Sequence, residues 1–182
     1  FMVVLAGCGK GESDNTKSNE KIKINTTVFP LKSFAEQIGG KHVEVNSIYP
    51  AGTDLHNYEP TQKDIINASK ADLFLYTGDN LDPVAKKVAS TIKKDDKKLA
   101  LEDKLDKSQL LTDQHSHEEE GHDHDEHHHH GGYDPHVWLD PVLNQKFAFM
   151  IKEKLIEKDP KHQAYYNKNY KIVNKDIVHI DQ

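Results

Sequence analysis

Arginine is absent from the 182 residues: all 24 basic side chains are lysine. The planar guanidinium fork that grips phosphates and carboxylates bidentately is therefore missing. With a formal net charge of -6 and no basic stripe, the composition argues against a nucleic-acid partner. Cysteine is almost absent too. The single thiol, Cys8, excludes an intramolecular disulfide and a Cys-rich zinc site. No apolar run approaches the roughly 20 residues that a membrane-spanning helix needs. The sequence holds no His-Glu-x-x-His, no Gly-rich phosphate loop and no serine nucleophile elbow. The expectation is a binding protein and not an enzyme.

Histidine is what the chain has in excess. Of 13 in all, eight fall in one short tract: His115, His117, His122, His124, His127, His128, His129 and His130. Six acidic residues between Glu118 and Glu126 are interleaved with them. Residues 113–132 contain no large apolar side chain, so they cannot bury themselves and read as a solvated loop. Imidazoles suit zinc, copper and nickel, and nearby carboxylates attract cations. The tract reads as an accessory metal-binding segment.

The first eight residues end in Leu5-Ala6-Gly7-Cys8, which resembles a bacterial lipoprotein signal. That resemblance implies cleavage before Cys8, a lipid on its thiol, and an extracytoplasmic, membrane-anchored protein. Residues 1–8 are then the truncated end of the signal. Residues 9–21 are polar and read as a tether between anchor and domain.

From residue 22 onward, strand and helix signals alternate. Strands are expected at 22–29, 43–48, 73–77 and 98–101, with the continuously apolar Leu73-Phe74-Leu75-Tyr76 buried on both faces. Helices are expected from Pro30 to about Ile38, from the capping box Thr61/Asp64 to about Ala71, and over 81–94. Asp140-Pro141 starts another, which buries Phe147, Met150, Ile151 and Leu155 until Asp159-Pro160 interrupts it. Tyr166, Tyr170, Val173, Ile177 and Ile180 then mark one face of a long helix, broken off in mid-pattern at Gln182. The fold class is α/β: a parallel sheet with flanking helices.

Two loops carry chemistry. Gly52-Thr53-Asp54-Leu55-His56-Asn57-Tyr58-Glu59-Pro60-Thr61 follows the second strand, where open α/β sheets bind ligands. Asp134-Pro135-His136-Val137-Trp138-Leu139-Asp140-Pro141 leads into a capped helix and is stiffened by a proline on each flank. Either histidine taken alone could be an ordinary solvated side chain. Glu59 reads as part of the turn into the next helix. His42, His162 and His179 fall on helix or strand edges with nothing clustered around them, and no role is expected for them.

Taken together, the two loops, with an acidic His-rich insert between them, resemble the metal-binding solute-binding proteins of ABC importers, the zinc and manganese type. The resemblance covers residues 22–182. It implies a two-lobed protein joined by a long helix, with residues 22–158 as the N-terminal lobe and 159–182 as the start of that helix. It implies that His56 and His136 ligate the metal, while a third and a fourth ligand come from the other lobe. The His-rich loop goes with the zinc branch, so Zn²⁺ is the expected cargo and Mn²⁺ the alternative. The implied partners are a membrane permease and its ATPase, with the binding protein itself a monomer. A surface metal buffer or adhesion lipoprotein without a transport role is the other reading.

Overall fold

The computed structural model describes residues 20–54, 58–105 and 140–180. Four strands form one sheet: β1 (Ile22–Thr26), β2 (Val43–Ser47), β3 (Leu73–Tyr76) and β4 (Lys98–Ala100). Their order is β2-β1-β3-β4 and every pairing is parallel. Ile22 faces Val43 at one end of the first pair, and Thr26 faces Ser47 at the other. Parallel neighbours need crossovers, and the helices supply them. These are α1 (Phe29–Gly39), α2 (Gln62–Lys70) and α3 (Pro83–Ala89), followed by α4 (Pro141–Lys158) and α5 (Gln163–Ile180).

The two faces of the sheet carry separate cores. Leu73 and Leu75 of β3 point to one face and pack with Leu31, Ala35 and Ile38 of α1, Phe147 and Ile151 of α4, and Tyr166 and Val173 of α5. Phe74 and Tyr76, on the opposite pleat, pack with Ala68 of α2 and Ala85, Val88 and Ala89 of α3. A strand buried on both faces has no solvent side, which is why its sequence is an unbroken apolar run rather than an alternation.

Helix starts follow the sequence signals closely. Thr61 and Asp64 form a reciprocal capping box at α2. Asp140 accepts from the backbone of Val142 at 2.7 Å and Leu143 at 3.3 Å, with Pro141 in the first turn of α4. Asp159 ends α4, and a single 3-10 turn, Pro160–His162, leads into α5. At the end of α1, Gly40 takes φ 51, a conformation costly for other residues. A β-carbon there would also overlap the Tyr165 hydroxyl.

Helix and strand ends differ most from expectation in two places. Strand β1 stops at Thr26, because Val28 already serves as the N-cap of α1 and Ser47 Oγ donates to the Thr27 carbonyl at 3.0 Å. Helix α3 stops at Ala89, well short of Lys94. There the hydroxyls of Ser90 and Thr91 donate to the carbonyls of Lys87 and Val88 at 2.8 and 2.7 Å. Such local bonds compete with helix continuation. No helix among the described residues is long and apolar enough to cross a membrane.

Candidate metal centre

Strand β1 lies between β2 and β3, so the chain leaves β1 to one side and returns to the other. Such a switch point opens a crevice at the carboxyl edge of the sheet, the usual ligand site of an open α/β fold. The two described ends of the loop after β2 lie at this edge, and a tyrosine holds each. Tyr49, at its start, is buried and donates its hydroxyl to Asp82 Oδ1 at 3.0 Å. The same oxygen accepts from the Ala85 backbone at 2.9 Å and caps α3. Burial first, and then the Asp82 charge, push the Tyr49 phenol far above its ordinary value, so it remains a donor.

Tyr58, at the end of the loop, donates to Asp64 Oδ2 at 2.6 Å. Asp64 Oδ2 also accepts from the Thr61 backbone and the Thr61 hydroxyl, each at 2.7 Å. The hydrogen bond to Asp64 is the main reason the Tyr58 phenol is raised. Asp64 itself is pushed up by burial, but the bonds from Tyr58 and Thr61 outweigh this and hold its carboxyl below the ordinary range. The two tyrosine rings meet edge to face, centroids 5.4 Å apart. Both ends of the loop are thus pinned, to α3 and to α2.

A buried carboxylate secures the neighbouring loop. Glu102, just past β4, accepts from the Asn80 backbone at 3.1 Å, the Asn80 side chain at 3.2 Å and the Leu81 backbone at 3.3 Å. Its own backbone N–H donates to the Thr77 carbonyl at 2.8 Å. None of the Glu102 contacts is visible in the sequence, whereas the Asp82-Pro83 helix start has the same form as Asp140-Pro141.

Helix α4 runs against the strand direction. Its far end, Lys158, shares a cavity with Ile22, which opens β1, Asp72, which precedes β3, and Asp96, in the turn before β4. Val142 and Lys146, near its start, share a groove with Lys104 beyond the end of β4. The Asp140 cap therefore sits at the carboxyl edge, the same edge as the Tyr49–Tyr58 loop.

His56 and His136 lie outside the described residues, as do Cys8 and the tract His115, His117, His122, His124, His127, His128, His129 and His130. What the structure describes is the anchorage on either side of His56 and the helix cap four residues beyond His136. Glu59 is exposed, 3.5 Å from Lys87 Nζ, as suits a turn residue. One expectation is corrected: His42 and His162 do have company. Their rings stack with centroids 3.7 Å apart, and Asp159 joins them. The lone appearance of each in the sequence hides a contact made only when α4 and α5 fold back onto β2.

Residues 24–182 match the family described as ZnuA, zinc-uptake complex component A, periplasmic. The chain belongs to this family. It is 35% identical over 173 residues to the high-affinity zinc uptake system protein ZnuA of Bacillus subtilis, covering 93% of this chain and 53% of that protein. It is 32% identical over 185 residues to the manganese ABC transporter substrate-binding lipoprotein PsaA of Streptococcus pneumoniae, covering 100% of this chain and 57% of that one. Among solved structures, the Zn(II)-bound ZnuA-like domain of Streptococcus pneumoniae AdcA superposes with a TM-score of 0.70 at 27% identity, over 88% of this chain and 53% of that chain. The chain spans about half the length of the curated relatives it matches. The ZnuA-family fold, a parallel-sheet lobe with flanking helices, is the fold class expected from the sequence.

Proposed function

We propose that this chain is the N-terminal lobe of an extracytoplasmic protein that captures Zn²⁺ and hands it to the permease and ATPase of an ABC importer. His56 and His136 supply two imidazole ligands, and a second lobe supplies the rest. Residues 22–158 form the lobe and 159–182 begin the helix between lobes. Cys8 carries the lipid anchor, residues 9–21 are the tether, and the protein works as a monomer at the membrane surface. The His-rich tract in residues 113–132 gathers weaker equivalents of zinc for the tight site.

The observation that carries this reading is the double pinning of the His56 loop through Tyr49–Asp82 and Tyr58–Asp64, at the edge where the Asp140 cap also sits. A ligand on a loop fixed at both ends loses little conformational entropy on binding. Neutral imidazole also favours zinc over the harder Mn²⁺. The similarity to a zinc uptake protein of Bacillus subtilis supports the same cargo.

The second reading, a manganese carrier, is favoured by the match to PsaA along the whole chain. A chelator competition titration separates the two. The full-length protein lacking residues 113–132 is loaded with Zn²⁺ or Mn²⁺, and His56→Ala and His136→Ala are compared with their parent. Loss of tight zinc binding in both variants is expected. Parental affinity in both sinks the site assignment, and tighter binding of Mn²⁺ than Zn²⁺ moves the protein to the manganese branch.

A further inference from the structure

A second cluster of metal-ligating side chains lies at the other edge of the sheet. His42 closes the 3-10 turn that enters β2, and it is 8% exposed. Asp159 and His162 belong to the junction between α4 and α5, with side chains 14% and 25% exposed. One candidate ligand atom from each lies within 4.8 Å of both others, and among the described residues this is the one such group of three. Five residues of β2 separate His42 from the loop that carries His56, roughly 16 Å of strand.

We propose that His42, Asp159 and His162 form a second binding site for a borderline-soft divalent cation such as Zn²⁺. Two imidazoles and one carboxylate are a donor set such ions accept, with bonds of roughly 2.0–2.2 Å. The carboxylate is already oriented: the Tyr166 hydroxyl donates to Asp159 Oδ2 at 2.7 Å, and His162 Nδ1 lies 2.6 Å from the same oxygen. Hydroxyl partners that fix ligating carboxylates are a regular part of metal sites.

The candidate ligand atoms, within 4.8 Å of one another, reach a loaded geometry by motions of about 1–2 Å. Ligands of a tetrahedral ion sit roughly 3.3 Å apart, so the 2.6 Å His162–Asp159 contact opens by less than an ångström. The stacked rings turn about their terminal torsions, which have broad wells. Lys41 precedes His42 and Lys161 precedes His162, and both are exposed, so their flexible ammonium groups can swing into solvent. The site needs residues from two parts of the chain that meet only in the folded lobe, so an ion there ties the α4–α5 junction to the start of β2.

The test uses Zn²⁺ alone on the full-length protein carrying His56→Ala and His136→Ala and lacking residues 113–132. That background removes the ligands assigned under the proposed function, so the two readings fail separately. Long-range nitrogen–proton NMR of the imidazole rings is followed through the titration. The His42 and His162 ring signals should move together and saturate at one equivalent, while His179 stays put. Tyr166→Phe should weaken this binding by roughly tenfold, and His42→Gln should abolish it. Unmoved His42 and His162 signals in excess Zn²⁺ overturn the site and leave a purely structural clamp. So does a folded His42→Gln variant that binds as its parent does. If His42→Gln fails to fold, the ring signals of the parent decide.

Discussion

The Tyr58 hydroxyl meets Asp64 Oδ2 at 2.6 Å, and the same oxygen closes the capping box at the start of α2. One carboxylate therefore starts a helix and ends a loop. Tyr58→Phe removes one of the three hydrogen bonds on that oxygen and leaves the ring in place. The expected loss of stability is about 1–2 kcal/mol, the range for one hydrogen bond to a carboxylate that keeps its other donors. Because the loop carries His56, zinc affinity should fall several-fold as well. Urea denaturation and a chelator competition measure the two effects. Unchanged zinc affinity in a destabilised Tyr58→Phe variant would separate the loop anchor from the proposed ligand.

Asp64 also sets a pH dependence. Burial opposes its charge, yet the hydrogen bonds from Tyr58 and Thr61 prevail, and the carboxyl titrates below its ordinary 3.8. A carboxylate depressed in the folded state stabilises it fully above the unfolded value. That contribution disappears as the pH falls through the lower, folded value. The acid limb of the stability curve should therefore be shallower in Asp64→Asn than in the parent below about pH 4. Parallel limbs in the two proteins would remove Asp64 from the acid transition.

Much of this architecture is legible in the residues themselves. Helix starts at Thr61 and Asp140 are readable because capping is local: donor, acceptor and carboxylate lie within three positions of one another. The β3 run is readable because a strand buried on both faces has no polar side to show. The early end of α3 is harder, since Val84, Val88 and Ile92 keep the helical spacing beyond the point where the hydroxyls of Ser90 and Thr91 turn the chain. The posts of the candidate site are not readable at all. Tyr49 reaches Asp82 across 33 positions and Glu102 reaches Asn80 across 22, and only the closed sheet edge brings them together. The pairing of His42 with His162 is hidden for the same reason.

The Asp140 cap gives a local test of the second loop. Its carboxylate satisfies the orphan N–H groups of Val142 and Leu143 at the start of α4. Asp140→Ala should cost about 1 kcal/mol of stability. Asp140→Asn, which keeps an acceptor, should recover most of it. Since His136 lies four residues upstream, the alanine variant should also bind zinc more weakly than the asparagine variant. Equal zinc affinities in the two would show that the cap and the loop are mechanically independent.

Phe147 tests whether α4 is integral to the lobe. Its side chain is fully buried among α1, α5 and the sheet. Phe147→Ala should cost about 3–5 kcal/mol, the range for emptying a large aromatic site. Phe149, two residues on and half exposed, is the control, and its alanine variant should lose much less. Similar losses at both positions, read from denaturant midpoints, would contradict the packing of α4 described above.

Gly78 and Glu102 form a coupled pair that a double-mutant cycle can resolve. Gly78 adopts φ 149, a region that side-chain-bearing residues rarely enter, and a β-carbon there would overlap Cγ and Cδ of Glu102. Gly78→Ala therefore meets two penalties, backbone strain of about 1–3 kcal/mol and a steric clash with a buried carboxylate that cannot easily move. Glu102 is held by three donors from Asn80 and Leu81, so pushing it aside also breaks hydrogen bonds. Glu102→Ala removes the obstruction and, with it, the anchor of the loop between β3 and α3. The backbone penalty of Gly78→Ala should persist in that background, while the clash should vanish. The cost of Gly78→Ala should thus be smaller in the Glu102→Ala background than in the parent, giving an interaction energy of about 0.5–3 kcal/mol. Additive costs in the cycle would mean that Glu102 shifts freely, and that it does not anchor the loop at the sheet edge.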